Sequence, residues 1–224
     1  MARVVGIEQN YDIVLQYCQE FRKAHVYSHG SFTGNPPSHT LIRSFDDDAV
    51  PKVISRAVSS DEGRFITGSG HGTYRSFTGQ RGVLIWNTVS KPPKHVAGTI
   101  VHLLSCRAGG LLGLLFVQHG AAAFWGYTTD FKFFHEANPP NPLTTDQYAK
   151  SFIQLDAIID IGILNGYDAA RIHNHLEAEF RKAYGSMIAR SNGAAEAAAL
   201  LDNFVHLVSP GRTWGDPGAS LSPT

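Results

Sequence analysis

Ile100-Val101-His102-Leu103-Leu104-Ser105-Cys106-Arg107-Ala108-Gly109-Gly110 decides the reading of this chain. An apolar run of this length, carrying one polar residue, is what a strand buried on both faces of a parallel sheet looks like. Ser105-Cys106 falls where that strand leaves the sheet. Thirty-five residues before Cys106, the stretch Arg64-Phe65-Ile66-Thr67-Gly68-Ser69-Gly70 runs in the same way into His71-Gly72. In an open α/β sheet, ligands and chemistry collect at the carboxyl ends of the strands. A cysteine and a histidine at two such ends meet in space without being neighbours in sequence.

Outward from these two strands, the pattern alternates between strands and helices. Residues 7–22 carry apolar positions at helical spacing (Ile13, Val14, Tyr17, Cys18, Phe21) and predict a first helix. Residues 25–28 and 40–45 read as short strands, and Asp46-Asp47-Asp48 as the cap of a helix through Val58. Residues 79–87 read as a hairpin arm or surface strand. After Cys106 a helix is predicted over 106–118 and a strand over 121–127. Helices follow over 144–164, 168–190 and 194–201, and a last strand over 203–208. Such alternation implies an α/β fold: a mainly parallel sheet of about six strands with helices on both faces. The expectation is a single domain over residues 1–224, with 209–224 mostly loop and 136–142 the best linker candidate.

Composition narrows the function classes. The chain has 224 residues, 43% hydrophobic and 17% charged, enough for a core without disulfides or metals. Nineteen basic and 19 acidic residues cancel, so no net field favours nucleic acid or an anionic membrane. Two cysteines make no disulfide framework and suit a reducing compartment. Residues 1–10 carry no long apolar segment of a signal peptide, and no apolar run approaches the roughly 20 residues that span a bilayer. The expected compartment is the cytoplasm.

A thiolate nucleophile needs a proton partner and oxyanion donors. Cys106 supplies the first and His71 the second. The backbone N–H groups of Gly72 and Cys106 could form the oxyanion hole. A helix beginning at Cys106 would lower the thiol pKa, and Arg107 would add positive charge. His29-Gly30 is a rival to His71, but its flanks are more turn-like. His102 reads as a core histidine and Cys18 as a core thiol. His173 and His175 are two apart on a helix and face different ways, so they make no metal pair. Neither His-Glu-x-x-His nor Cys-x-x-Cys occurs, and no metal or cofactor is expected. Gly68-Ser69-Gly70-His71-Gly72 lacks the Lys-Ser/Thr ending of a phosphate loop, and no Gly-x-Ser-x-Gly marks a serine hydrolase. Asp46 to Asp48 reads most simply as a solvated cap, with calcium the other possibility.

A strand ending in His-Gly, then an apolar strand ending in Ser-Cys, resembles the caspase-like cysteine peptidases of clan CD. Ser105-Cys106-Arg107-Ala108-Gly109 is similar to the caspase Ala-Cys-Arg-Gly stretch with one residue inserted. Residues 120–127 and 200–208, with Gly215-Asp216-Pro217, are similar to the strand after the nucleophile and the closing segment of CHAT and gingipain domains. The resemblance covers about residues 65–217. It implies an α/β/α sandwich and a cysteine endopeptidase acting through an acyl-enzyme. By motif match Cys106 is the nucleophile, His71 the proton donor and Gly72 an oxyanion donor; Ser105, before the nucleophile, and Asp130, just past the strand 121–127, are the candidate substrate-binding residues. Clostripain-like members carry Asp two residues before the nucleophile, where this chain has Leu104. Asp130 is then the candidate partner for a basic P1 residue, and Arg43 or Arg75 for an acidic one. Phe131, Phe133 and Phe134 line a groove or anchor a loop. The implied partners are a protein or peptide substrate and a regulatory or activating protein. A catalytically silent scaffold and another cysteine-dependent acyl transfer, such as an amidase, are the other readings of these residues.

Overall fold

The computed structural model describes residues 2–34, 37–58, 63–190, 193–209 and 215–221. In chain order the elements are β1 (Ala2–Glu8), α1 (Ile13–His25), α2 (Gly30–Thr33), β2 (His39–Phe45), α3 (Pro51–Val58) and β3 (Gly63–Ser69). Then come β4 (Gly72–Thr73), β5 (Ser76–Thr78), β6 (Leu84–Asn87), β7 (Ile100–Leu104), α4 (Leu111–Gln118) and β8 (Ala123–Tyr127). The chain closes with α5 (Gln147–Leu164), α6 (Ala169–Ile188), α7 (Ala194–Val205) and β9 (Leu207–Val208). The main sheet has six strands in the order β2-β1-β3-β7-β8-β9. The first five run parallel, and β9 pairs antiparallel with β8. A small antiparallel sheet, β4-β5-β6, stands beside it.

Alternation along the strands builds two cores. Val4, Phe65, Ile100 and Trp125 pack against Tyr17, Phe21, Ile153 and Ala157 of α1 and α5. Val5, Ile66, Val101 and Phe124 pack against Ile54 and Val58 of α3, Leu112 and Phe116 of α4, and Ile85 of β6. Helices on both faces make this the mainly parallel α/β/α sandwich expected from the sequence.

Five local expectations are corrected or narrowed. Residues 7–22 are not one helix. Val4, Val5 and Ile7 are fully buried in β1, and α1 starts only after Asp12, whose carboxylate caps it by accepting from the Leu15 N–H. Residues 25–28 are not a strand, because Val26 and Tyr27 both donate to the Arg22 carbonyl and close α1 with a turn. The last strand is only Leu207–Val208. Leu200 and Asn203 are buried three residues apart, a helical period, so α7 continues to Val205. Residues 106–118 are not one helix either. Residues 106–110 form a turn in which Arg107 is left-handed (φ 57°), and α4 begins at Leu111. Within residues 79–87, the strand is Leu84–Asn87, after a 3-10 turn at Gln80–Gly82.

One buried layer is polar. At the carboxyl half of the sheet, Glu8, Thr67, Ser69 and His102 point toward α1 and α5, where Arg22, Asp156 and Asp160 meet them, all buried. Arg22 donates to Glu8 and Asp160, each at 2.7 Å, and to Thr67. The two ring nitrogens of His102 face Asp160 at 3.0 Å and Asp156 at 3.2 Å. Burial opposes a charged imidazole, but Asp160 and Asp156 outweigh it and raise the His102 pKa to about 9. The folded value therefore lies above the roughly 6.5 of an unfolded histidine. Its stabilising contribution is complete below that value and is lost as pH climbs through about 9. Urea unfolding midpoints should fall between pH 7 and 9 in the wild type. In His102→Phe this alkaline decline should shrink, and equal slopes in the two proteins would sink the assignment.

Candidate functional site

The register of β3 against β7 sets the site. Ser69 pairs with Leu104, so His71 and Cys106 each lie two residues beyond a matched pair, at adjacent strand exits. The exits are joined: the Gly70 N–H donates to the Leu104 carbonyl at 3.2 Å. Gly72 lies directly against the cysteine loop. A Cβ there would collide with the Ser105 hydroxyl and come within 2.8 Å of the Cys106 carbonyl, so only glycine permits this approach.

The turn after Cys106 is stitched to the end of β8. The Arg107 N–H donates to the Thr129 carbonyl and the Gly109 N–H to that of Tyr127, both at 2.8 Å. These bonds hold Cys106, half-buried, over the end of the sheet. Burial pushes its thiol pKa up and the nearby Asp130 carboxylate adds to the rise, opposed by the Phe131 backbone and by Arg107. The expectation of a thiol acidified by a helix start is thereby overturned. The helix begins five residues later, and desolvation dominates.

His71 is 47% exposed, and its Nε2 lies 2.6 Å from Asp12 Oδ2. Its backbone carbonyl accepts from both the N–H and the hydroxyl of Thr78. Tyr11 presents its ring edge-on, with centroids 5.8 Å apart. Asp12 follows β1 at the same sheet edge. It was hidden from the sequence reading inside the supposed helix 7–22, although an acidic residue just before an apolar-periodic run is a cap signal.

Beside Cys106 an open cleft of about 540 Å³ is lined by Tyr74, Arg107, Thr128, Thr129, Asp130, Lys132 and Asp202. Its carboxylates are already paired: Asp130 accepts from Arg107 at 2.6 Å and Asp202 from Lys132 at 2.9 Å. Asp130 therefore lines the cleft, but it is not a free anion. Ser105 is only 2% exposed and its hydroxyl faces Gly72, so it lies beneath the cleft rather than in it. Phe131 and Phe133 pack onto the α5 core and Phe134 against Phe152, which is the anchoring role. Arg43 lies within β2 at the edge of the sheet, and Arg75 in the turn between β4 and β5. His29 belongs to another region, where it caps the short α2. Cys18 is buried in the α1 core and His102 in the polar layer below the sheet.

Among the described residues, His102, Asp156 and Asp160 are the group whose ligand atoms come within 4.8 Å of one another. The Arg22 guanidinium and the Thr67 and Tyr127 hydroxyls already bond their carboxylates, and both imidazole nitrogens are engaged. This donor set is an internal ion cluster, a poor fit to a cation. Among the described residues no helix is long and apolar enough to cross a membrane.

No protein-family model matches the sequence, and no curated protein matches it. Among solved structures, the complex of Porphyromonas gingivalis RgpB pro- and mature domains aligns with a TM-score of 0.49 and 11% sequence identity. The alignment covers 99% of this chain and 48% of that one, so this chain spans about half its length.

Proposed function

We propose that this chain is a cysteine endopeptidase with Cys106 as nucleophile and His71 as its proton partner. The observation that carries the proposal is the paired register of β3 and β7, which sets His71-Gly72 and Cys106 on adjacent exits, with Arg107, the neighbour of Cys106, lining an open cleft. The Cys106 sulfur attacks the substrate carbonyl as its proton passes to His71. The oxyanion accepts from the backbone N–H groups of Gly72 and Cys106. The C–N bond breaks as His71 returns the proton to the leaving amine, leaving a thioester on Cys106. Water, giving up a proton to His71, then releases the carboxylic acid and regenerates the thiol. No cofactor enters this sequence of steps.

The Arg107–Asp130 pair bears on which residue is cut. A basic P1 side chain must compete with Arg107 for Asp130. Removing Arg107 leaves Asp130 available, and at so exposed a pair the gain is small, about fivefold in rate. A peptide library is the test. The wild type should cleave internal bonds and lose activity when a peptidyl acyloxymethyl ketone forms a thioether at Cys106. Arg107→Ala should raise the relative rate after Lys and Arg about fivefold. A library left uncut, or label on Cys18 alone, would remove the peptidase assignment. An unchanged P1 profile in Arg107→Ala would remove Asp130 from the pocket.

A further inference from the structure

We propose that the segment joining β1 to α1 and the turn before β6 form an apolar subsite for P1′, the residue on the leaving side of the cut bond; the proposal rests on the peptidase reading above. Among the described residues eleven large apolar side chains are exposed, and four of them, Tyr11, Ile13, Val14 and Val83, lie in these two segments, each between 38% and 41% exposed. Single apolar side chains on a surface are ordinary, but a gathering of them marks a place of binding. The two segments are tied together. The Asn10 N–H donates to Gln80 Oε1 at 3.3 Å, and Gln80 Nε2 donates to Asn10 Oδ1 at 3.0 Å. Within the turn, the Gly79 N–H donates to the Val83 carbonyl at 2.7 Å. The Tyr11 hydroxyl reaches toward Gly82, where a Cβ would lie 4.0 Å from it. Tyr11 and Val83 are thus walls of one surface that is set before a peptide arrives, so binding there costs little ordering.

The order of bond breaking determines which part of the substrate reaches this surface. The acyl half stays bonded to Cys106, whose neighbour Arg107 lines the polar cleft. The leaving amine must come within roughly 3 Å of the His71 imidazole to take its proton. Tyr11 presents its ring edge-on to that imidazole, with centroids 5.8 Å apart. The residue that carries the amine therefore lies over His71 on the Tyr11 side, and a Leu or Phe side chain there extends across Tyr11 toward Val83. An acidic side chain in the same place meets the Asp12 carboxylate, which lies 2.6 Å from the His71 ring, and is repelled. The substrate thus meets charge before the cut bond and apolar surface after it.

The test is a set of peptides that share the best P1 residue and differ only at P1′. In the wild type kcat/KM should be about tenfold higher with Leu or Phe at P1′ than with Ala, and lowest with Asp. Val83 is exposed and its turn is held by backbone bonds, so its side chain can be changed without disturbing the fold. Val83→Ser should reduce the Leu preference to about threefold or less, while the Ala peptide is cut within about twofold of the wild-type rate. Val83→Lys should raise cleavage of the Asp peptide about fivefold relative to the Ala peptide, a gain that a merely loosened turn does not give. Equal rates across P1′ in the wild type, a Leu preference unchanged in Val83→Ser, or no gain for Asp in Val83→Lys would overturn the subsite and leave the peptidase reading standing. A library that the wild type leaves uncut would remove the peptidase reading, and the subsite with it.

Discussion

Cys106→Ala should abolish the proposed peptide hydrolysis, lowering kcat by at least about 10³-fold, because removing the proposed nucleophile leaves only binding and oxyanion stabilisation. The fold should tolerate the change: Cys106 is half-buried at the end of the sheet, outside both cores. The unfolding midpoint should therefore stay near that of the wild type while turnover vanishes. Burial raises the thiol pKa, so Cys106 rests as a neutral thiol at pH 7, and under the proposed mechanism the thiolate forms only as attack begins. Iodoacetamide should then alkylate Cys106 slowly at neutral pH and about tenfold faster per pH unit, with the rise continuing past pH 9, where an ordinary thiol levels off. Turnover retained in Cys106→Ala would place the chemistry elsewhere. A flat alkylation profile from pH 6 upward would mean a thiolate already formed at rest.

The strand ends were legible because two different signals met there. The burial of β3 and β7 is written as apolar runs, and glycine marks where each chain leaves the sheet or turns beyond it. The alternation that yields a mainly parallel sheet was legible for the same reason. What escaped was local or relational. β1 is only seven residues long, and its apolar positions blend with those of α1 unless Asp12 is read as a cap. The turn at 106–110 hides a left-handed Arg107, a conformation that no residue identity other than glycine announces. Asp12 and His71 are 59 residues apart, and the bond between them exists only once β1 and β3 are neighbours. The sequence likewise offers Asp130 as a free carboxylate, because its pairing with Arg107 depends on how two loops meet. His102 is the converse case. A lone histidine in an apolar strand signalled a satisfied core position, but its carboxylate partners lie more than 50 residues away on α5.

Those partners lead to the largest stability effect. Arg22→Met should destabilise the fold by about 3–5 kcal/mol, because it strands Glu8, Asp156 and Asp160 in a layer with no solvent access. For a chain of this length that is roughly 6–20 °C in melting temperature. The cost arises from the partners left behind rather than from the arginine's own interactions. Burial alone raises the Asp160 pKa, whereas Arg22 and His102 outweigh it and hold that carboxyl down at about 2. Without Arg22 one counter-charge goes, and the carboxyl must be buried less well matched or take a proton. Glu8, already pushed up by burial against the pull of Arg22, loses its main opposing charge, so its ionised form is held there at a greater cost. Adding Glu8→Gln to Arg22→Met should therefore recover part of the loss, since a neutral amide in that place keeps a hydrogen-bonding group for Tyr27 and Ser69 without a stranded charge. Arg22→Lys should fall between wild type and Arg22→Met. It keeps the charge but cannot reach Glu8, Asp160 and Thr67 with one planar fork. The same layer fixes α1 against β1 and β3, and α1 carries Asp12 at its start, so loss of Arg22 should also loosen the grip on His71. Chemical denaturation of the three variants decides the first point. Recovery of less than about 0.5 kcal/mol in the double variant would show that packing around the arginine stem, and not stranded charge, sets the cost.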